Sequence, residues 1–278
     1  MNSIHSLNGC RRPSASQGLL ARVRPGLQSG FSLIELMVAV LIGLFLTLGL
    51  SQIFLSMYST SQSQNKLGQA QENQRLGVVM LANTVQLAGF YAGKPTSATA
   101  NVLALPQLAT NNTDGSSFTA GAGIVGIGGG SGTGAKSDSV NIYFQSGGVD
   151  QDGIINCQGG TAPASTLTTF VNSFYINSSW QLVCSVTTNN GKPNTPLVLA
   201  NDVYSMSILY GVDSVLSGTT DTYLTATDVQ TNGKWLNVRS IQITLNFFTP
   251  NLLNPNAAYT STSPTTPWVQ TISLMSKS

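Results

Sequence analysis

Residues 30–50 read GFSLIELMVAVLIGLFLTLGL. From Leu36 to Leu50 there is no charged residue, and Thr47 alone has a polar side chain. Together with the apolar residues that follow, the run is about 25 residues long. At a rise of ~1.5 Å per residue, a helix of that length can cross a hydrocarbon core of ~30 Å. The stretch therefore predicts a transmembrane helix, with one carboxylate, Glu35, near its start.

The segment before this run is basic. Four of the twelve basic residues lie before residue 30, where there is no acidic residue: Arg11, Arg12, Arg22 and Arg24. Residues 1–30 show no apolar periodicity, so we interpret them as a leader that is cleaved and takes no part in the fold. The positive charge predicts that this end of the transmembrane helix faces the cytoplasm.

The helix is expected to continue beyond the apolar run. Residues 59–74 are polar and lack proline, and Val78, Leu81 and Val85 then follow helical spacing. Pro95 is the first proline after the leader. We therefore predict one helix over about 31–90, roughly 90 Å long. It is apolar over 31–58, where it forms the transmembrane or filament-core segment, and amphipathic over 59–94.

The rest of the chain predicts β-structure. Residues 95–137 are rich in Gly, Ser, Thr and Asn and predict an irregular connection. Within 138–250, apolar residues alternate with polar ones at 140–144, 202–213 and 235–248, and two or three further short strands are expected in 166–186. Such alternation is typical of a sheet with one buried and one solvated face.

The last segment, 251–278, contains three prolines and predicts a loose C-terminal tail. The predicted fold class is therefore α+β. A long N-terminal helix packs on a C-terminal antiparallel β-sheet head that occupies 138–250.

Composition argues against several function classes. Only 8% of the residues are charged and the formal net charge is +2, which does not favour a nucleic-acid partner. The single histidine, His5, lies in the leader, so the processed chain cannot use Ser-His-Asp or Cys-His chemistry. We predict no catalytic residue, no cofactor, no metal and no small-molecule substrate, and hence a protein that is not an enzyme.

Two short motifs have competing interpretations. GAGIVG (121–126) matches the dinucleotide-binding fingerprint, but no apolar strand precedes it and no helix-forming sequence follows it, so a flexible surface loop is favoured. VDQDGI (149–154) carries Asp150 and Asp152, which could form a weak calcium site. An Asp-Gly turn between strands is favoured instead.

Two of the three cysteines, Cys157 and Cys184, lie in the body of the chain, 27 positions apart. In an exported protein they can pair, and the alternative is two buried free thiols. We favour the disulfide, which would stabilise the fold by about 3–4 kcal/mol in the chain-entropy model.

The N-terminal residues carry a family resemblance. Gly30 followed by FSLIE and an unbroken apolar run resembles the class III signal of type IV prepilins and type II secretion pseudopilins. The resemblance implies that a membrane prepilin peptidase cleaves between Gly30 and Phe31 and N-methylates Phe31. It also implies that Glu35 helps to align incoming subunits in a helical filament.

The later part of the chain resembles one particular family within this class. DVYSMSILYGVD (202–213), VRSIQITL (238–245) and the cysteine pair are similar to the PilW family of minor pilins. This implies a minor pilin that primes type IV pilus assembly and supports piliation and twitching motility. Its partners would be the prepilin peptidase, the major pilin, other minor pilins and the inner-membrane assembly platform.

The resemblance also implies a location. The chain would first be a single-pass inner-membrane protein with a cytoplasmic N-terminus and a periplasmic head, and would then enter the pilus at the cell surface. Two alternatives stay open: a minor pseudopilin of a type II secretion system, and a signal-anchored periplasmic binding protein or enzyme that keeps its leader.

Overall fold

A computed structural model describes residues 30–92, 105–108, 116–129, 137–189, 191–249, 258–260 and 262–275. The chain divides into two units, Met1–Ser56 and Met57–Ser278. The predicted leader, apart from Gly30, lies outside the described residues, as do parts of the predicted connection and tail.

The first unit contains the start of helix α1, Leu33–Gln86, which has 54 residues. Every residue from Gly30 to Ser56 is exposed, including all the large apolar side chains. By length and composition, α1 is able to cross a membrane. Its apolar surface needs a cover that the described residues do not supply, and lipid or other apolar helices can provide one.

The second unit contains the rest of α1, and here the helix has a buried face. Its buried residues recur at helical spacing, as expected for an amphipathic helix: Gly77, Val78, Leu81, Thr84 and Val85. The helix ends at Gln86, a few residues before the predicted end. Gly89 follows with a φ of 83°, a left-handed conformation that commonly terminates a helix.

Among the described residues, nine strands form two antiparallel sheets. The strands of the first sheet, in spatial order, are β1 (Ile124–Ile127), β2 (Ser139–Ser146), β3 (Thr168–Ile176), β4 (Leu182–Thr188) and β5 (Leu197–Ala200). The second sheet contains β6 (Val203–Val212), β7 (Thr222–Thr225), β8 (Val238–Phe248) and β9 (Thr265–Ser273), in the order β7-β6-β8-β9. Helix α2 (Ala226–Thr231) and a short 3₁₀ helix (Trp235–Asn237) lie between β7 and β8.

The α+β fold class and the strands of the second sheet confirm the sequence interpretation. In β8, Ile241, Ile243 and Leu245 are fully buried, whereas Gln242 and Thr244 between them are only partly buried. Strand β6 shows the same alternation over most of its length. One hydrophobic core includes these residues and the buried face of α1.

The prediction for GAGIVG was wrong. This stretch is not a flexible surface loop, because Ala122 to Gly126 are buried and Ile124–Ile127 form β1. A Cβ at Gly123 would collide with the backbone of Gly89, so glycine is needed where the chain leaving α1 passes this strand. The predicted irregular connection over 95–137 therefore contains an ordered strand.

The alternation at 140–144 predicted a solvated face that β2 does not have. Asn141, Tyr143 and Gln145 are as buried as the apolar residues between them. The segment before β1 covers this face, where the ring of Phe118 lies 5.2 Å from that of Tyr143, centroid to centroid. Asn141 is tolerated here because its Oδ1 accepts a hydrogen bond from the Ser173 hydroxyl.

The prediction of a loose tail over 251–278 was also wrong for Thr265–Ser273. These residues form β9, which pairs with β8 along its whole length. Pro264 precedes the strand, and Pro267 occupies its outer edge, where no sheet hydrogen bond is lost.

Candidate assembly site at the start of helix α1

Ser32 caps helix α1 and Glu35 completes the cap. The Ser32 carbonyl accepts the first hydrogen bond of the helix, from the Leu36 N–H at 3.2 Å. The Ser32 N–H donates to Glu35 Oε2 at 3.2 Å. This is one half of a capping box, in which the third helical residue reaches back to the N-cap main chain. The acidic side chain also lies in the first turn, where the helix dipole favours negative charge.

The surroundings of this cap are open. Phe31 is 89% exposed, and Gly30, Ser32 and Glu35 are exposed as well. The ion pairs among the described residues are Glu72–Arg75 and Asp213–Arg239, and neither includes Glu35. An exposed carboxylate with one main-chain donor keeps lone pairs free to accept hydrogen bonds from a cation. The site can therefore receive a positively charged group from outside.

The head is tied together by a disulfide between Cys157 and Cys184, which confirms the predicted pair. Cys184 lies in β4, and Cys157 lies in the long loop between β2 and β3, with 6.4 Å between the two Cα atoms. Both residues are fully buried. Asn172 of β3 supports the loop, because its Oδ1 accepts from the Cys157 N–H at 2.9 Å. The Gln158 amide donates to the Cys184 carbonyl at 2.9 Å.

The two carboxylates considered for calcium, Asp150 and Asp152, accept hydrogen bonds from different donors within the same loop. Asp150 accepts from the main chain and the hydroxyl of Ser165, each at 2.6 Å, and these bonds lower the pKa of the Asp150 carboxyl. Asp152 accepts from the Ser146 hydroxyl at 2.8 Å and the Gly147 N–H at 2.7 Å. No cluster of three or more metal-ligating side chains occurs within the part of the chain that is described. This geometry is that of a hydrogen-bonded turn.

Two family models match the chain. Residues 26–51 match the prokaryotic N-terminal methylation motif, a stretch that includes Gly30, Phe31 and Glu35. Residues 172–277 match the family described as Type IV Pilus-assembly protein W, a stretch that runs from β3 through β9. Among curated proteins, none matches the chain.

The methylation motif, the exposed apolar helix and the β-sheet head are consistent with a type IV pilin. The motif and the apolar helix indicate anchoring in a membrane. The head matches its own family model as well, and the two matches together support a type IV pilin of the PilW family. Pilins are structural proteins, which fits the expectation that this chain is not an enzyme.

Sequence reasoning missed two features of the site. The pattern Ser32-x-x-Glu35 before an apolar run is a capping-box signature and could have been read directly. The support that Asn172 gives to the disulfide loop had no signal, because Asn172 lies 15 positions from Cys157 and its role depends on strand pairing.

Proposed function

We propose that this chain is a minor pilin that takes part in the assembly of type IV pili, in the step that primes the fibre. In this proposal, prepilin peptidase cuts between Gly30 and Phe31 and methylates the new Phe31 amine. The processed subunit waits in the inner membrane with its head in the periplasm, and then enters the pilus, where it supports piliation and twitching motility.

The match of residues 26–51 to the methylation motif carries this proposal, since that match spans the proposed cut site and Glu35 together. The exposed apolar half of α1 supports it physically. An apolar helix can pass from lipid into a bundle of similar helices without exposing its surface to water, so transfer into a fibre has little hydrophobic cost.

Glu35 is the proposed recruiting residue. Cleavage would create an α-amine at Phe31, four residues before Glu35, which is about one helical turn. The amine of a neighbouring subunit could then donate to the carboxylate, whose donor among the described residues is one neutral N–H. A charge-assisted bond of this kind is stronger than a neutral one, and stronger still inside an apolar bundle.

The N-terminal motif also serves type II secretion pseudopilins, and the match of the head to a pilus-assembly family favours the pilus. We expect the major pilin, other minor pilins and the inner-membrane assembly platform to be the partners. A pseudopilin would instead be required for exoprotein secretion, so the phenotype of a gene disruption separates the two functions.

The proposal is tested on the full chain in its native cells. Mass spectrometry of the mature N-terminus should find N-methylated Phe31, and sheared pili should contain the chain. A bulky replacement such as Gly30→Leu should block cleavage and leave the longer precursor in the membrane. An intact Met1 in the wild-type protein would exclude the pilin function and favour a signal-anchored periplasmic protein.

Glu35→Ala provides the matched variant for recruitment. Membrane insertion and cleavage should stay at wild-type levels, because the apolar run and Gly30 are unchanged, while the amount in sheared pili should fall severalfold. Glu35→Ala present in pili at the wild-type level would refute the recruiting role while leaving the cleavage proposal intact.

A further inference from the structure

In the part of the chain that the structure describes, the two sheets end in four edge strands of unequal length. Strands β1, β5 and β7 have four residues each, whereas β9 has nine. Very short edge strands are one way in which proteins avoid unwanted pairing with other chains, and charged side chains on the edge are another. Strand β9 uses neither, since its sequence, TTPWVQTIS, contains no charge.

The hydrogen bonds at the two ends of β9 determine which of its backbone groups bond to β8. The Thr249 N–H donates to the Pro264 carbonyl, and the Leu274 N–H donates to the Arg239 carbonyl, each at 2.8 Å. In an antiparallel pair, hydrogen-bonded residue pairs recur at every second position. The pairing of β8 with β9 is regular, so the even-numbered residues of β9 bond to β8 and the odd-numbered residues direct their N–H and C=O groups away from it.

The free groups are concentrated in the second half of β9. Val269, Thr271 and Ser273 each present an N–H and a C=O group outward, and their backbone groups on this side have no partner among the described residues. Pro267 also lies at an outward position, where it presents a carbonyl and no N–H. A new strand can therefore form a regular ladder over Val269–Ser273 but loses one bond beside Pro267.

Two apolar side chains near this edge are also only partly covered by the rest of the head. Val269 is 55% exposed on the outer face of the sheet, next to Thr244 of β8. On the inner face, Trp268 is only partly buried although it packs against the core. A strand added beside β9 would cover the open side of Trp268 and give Val269 a cross-strand neighbour.

We propose that the outer edge of β9, over Val269–Ser273, binds an extended, uncharged segment of another pilin subunit by β-strand addition. This inference rests on the proposed function, which supplies neighbouring pilin heads. The backbone ladder provides affinity, and an apolar side chain of the partner beside Trp268 provides specificity. A segment with charged residues over these positions would meet no opposite charge in β9, so its charges would gain no ion pair there.

A second copy of this chain is the other source of an extended strand. Two antiparallel β9 strands would form a closed twofold dimer, in which both edges are used and no further subunit can be added. A fibre needs contacts that continue from one subunit to the next. We therefore assign the edge to a different pilin and treat self-pairing as an outcome that the experiment can detect.

Photocrosslinking in piliated cells tests this proposal on the full chain. A photoreactive amino acid replaces Val269 in one variant and Val198 in a control. Val198 is also a valine on an edge strand, β5, and is 41% exposed. We expect the Val269 variant to crosslink to another pilin subunit, identified by mass spectrometry, and the Val198 variant to give none of that product.

A second change tests the backbone ladder. Thr271→Pro removes one outward N–H and leaves every bond to β8. Pro267, at another outward position of the same edge, already does the same. It should lower the crosslinking yield roughly fivefold, the effect of losing one hydrogen bond. Thr271→Val keeps the N–H and should leave the yield unchanged.

Several results would overturn the proposal: no crosslink from position 269, equal crosslinks from both positions, a product with a second copy of the chain alone, or a yield that Thr271→Pro does not change. These results leave the proposed function standing if the chain is still found, with N-methylated Phe31, in sheared pili. Failure of the proposed function has a different signature, namely an uncleaved leader and absence from the pili.

Discussion

Removing the disulfide should lower the stability of the head by an amount that the sequence separation sets. The double variant Cys157→Ala/Cys184→Ala opens a loop of 27 positions, for which the chain-entropy model gives about 3.5 kcal/mol. Alanine is chosen because a serine hydroxyl would lie buried at both sites. For a unit of roughly 220 residues, the unfolding entropy converts this loss into a fall of about 7–8 °C in Tm.

The assay is thermal unfolding of the full chain in detergent, followed by circular dichroism in the strand region. The oxidised wild type, the double variant, and the wild type unfolded and refolded under reducing conditions are compared. The double variant and the reduced wild type should melt at similar temperatures, both well below the oxidised protein. Melting of the double variant within about 2 °C of the oxidised wild type would refute the reasoning, because the loop would then restrict the unfolded chain too little.

Two further predictions concern a close contact and a buried carboxylate. Gly77→Ala places a Cβ 2.8 Å from that of Ala200, so urea titration should show it less stable, by about 1–3 kcal/mol, than Gly68→Ala, whose Cβ meets nothing within 4 Å and which gains helix propensity. Burial opposes ionisation of Asp213, but the N–H groups of Gly218 and Ser217 together with Arg239 outweigh it and lower the pKa of the Asp213 carboxyl. This stabilisation is present above the unfolded pKa of about 3.9 and is lost as the pH falls through the lower folded value. The stability difference between wild type and Asp213→Asn should therefore be largest near neutral pH and disappear in acid. A difference that grows as the pH falls would contradict the sign.

Some parts of the fold could be predicted because a local pattern determines them. Residues 30–50 specify a helix by composition alone, and the period-two alternation around Ile241 and Ile243 requires a strand with one buried face. The pairing of Cys157 with Cys184 was predicted because two cysteines lie in the part of the chain that was expected to be exported. Each of these three predictions depends on neighbouring residues or on simple counting. None of them needs knowledge of the tertiary structure.

Other parts could not be predicted because they depend on contacts that are distant in sequence. GAGIVG looks like a loop in isolation. It contributes to β1 because Gly123 leaves room for the backbone at Gly89 and because Ile124–Ile127 pair with β2. Asn141 looks like a residue of a solvated face, and it is buried because the segment before β1 crosses that face, where Ser116 accepts a hydrogen bond from its amide. The local sequence shows which residues are polar, whereas their burial depends on which distant segments of the chain pack against them.

The C-terminal prolines show how one residue type can have opposite meanings. Proline removes an N–H, which breaks a strand only where that N–H would have bonded to a neighbouring strand. At Pro267 the missing N–H is on the outer edge of β9, so the strand forms and the edge becomes asymmetric: it is blocked at one end and open over Val269–Ser273. The same residue that suggested a loose tail thus limits where another strand can pair with this head. An edge that is open over a defined stretch favours one register of pairing, and this is the property that a specific subunit contact requires.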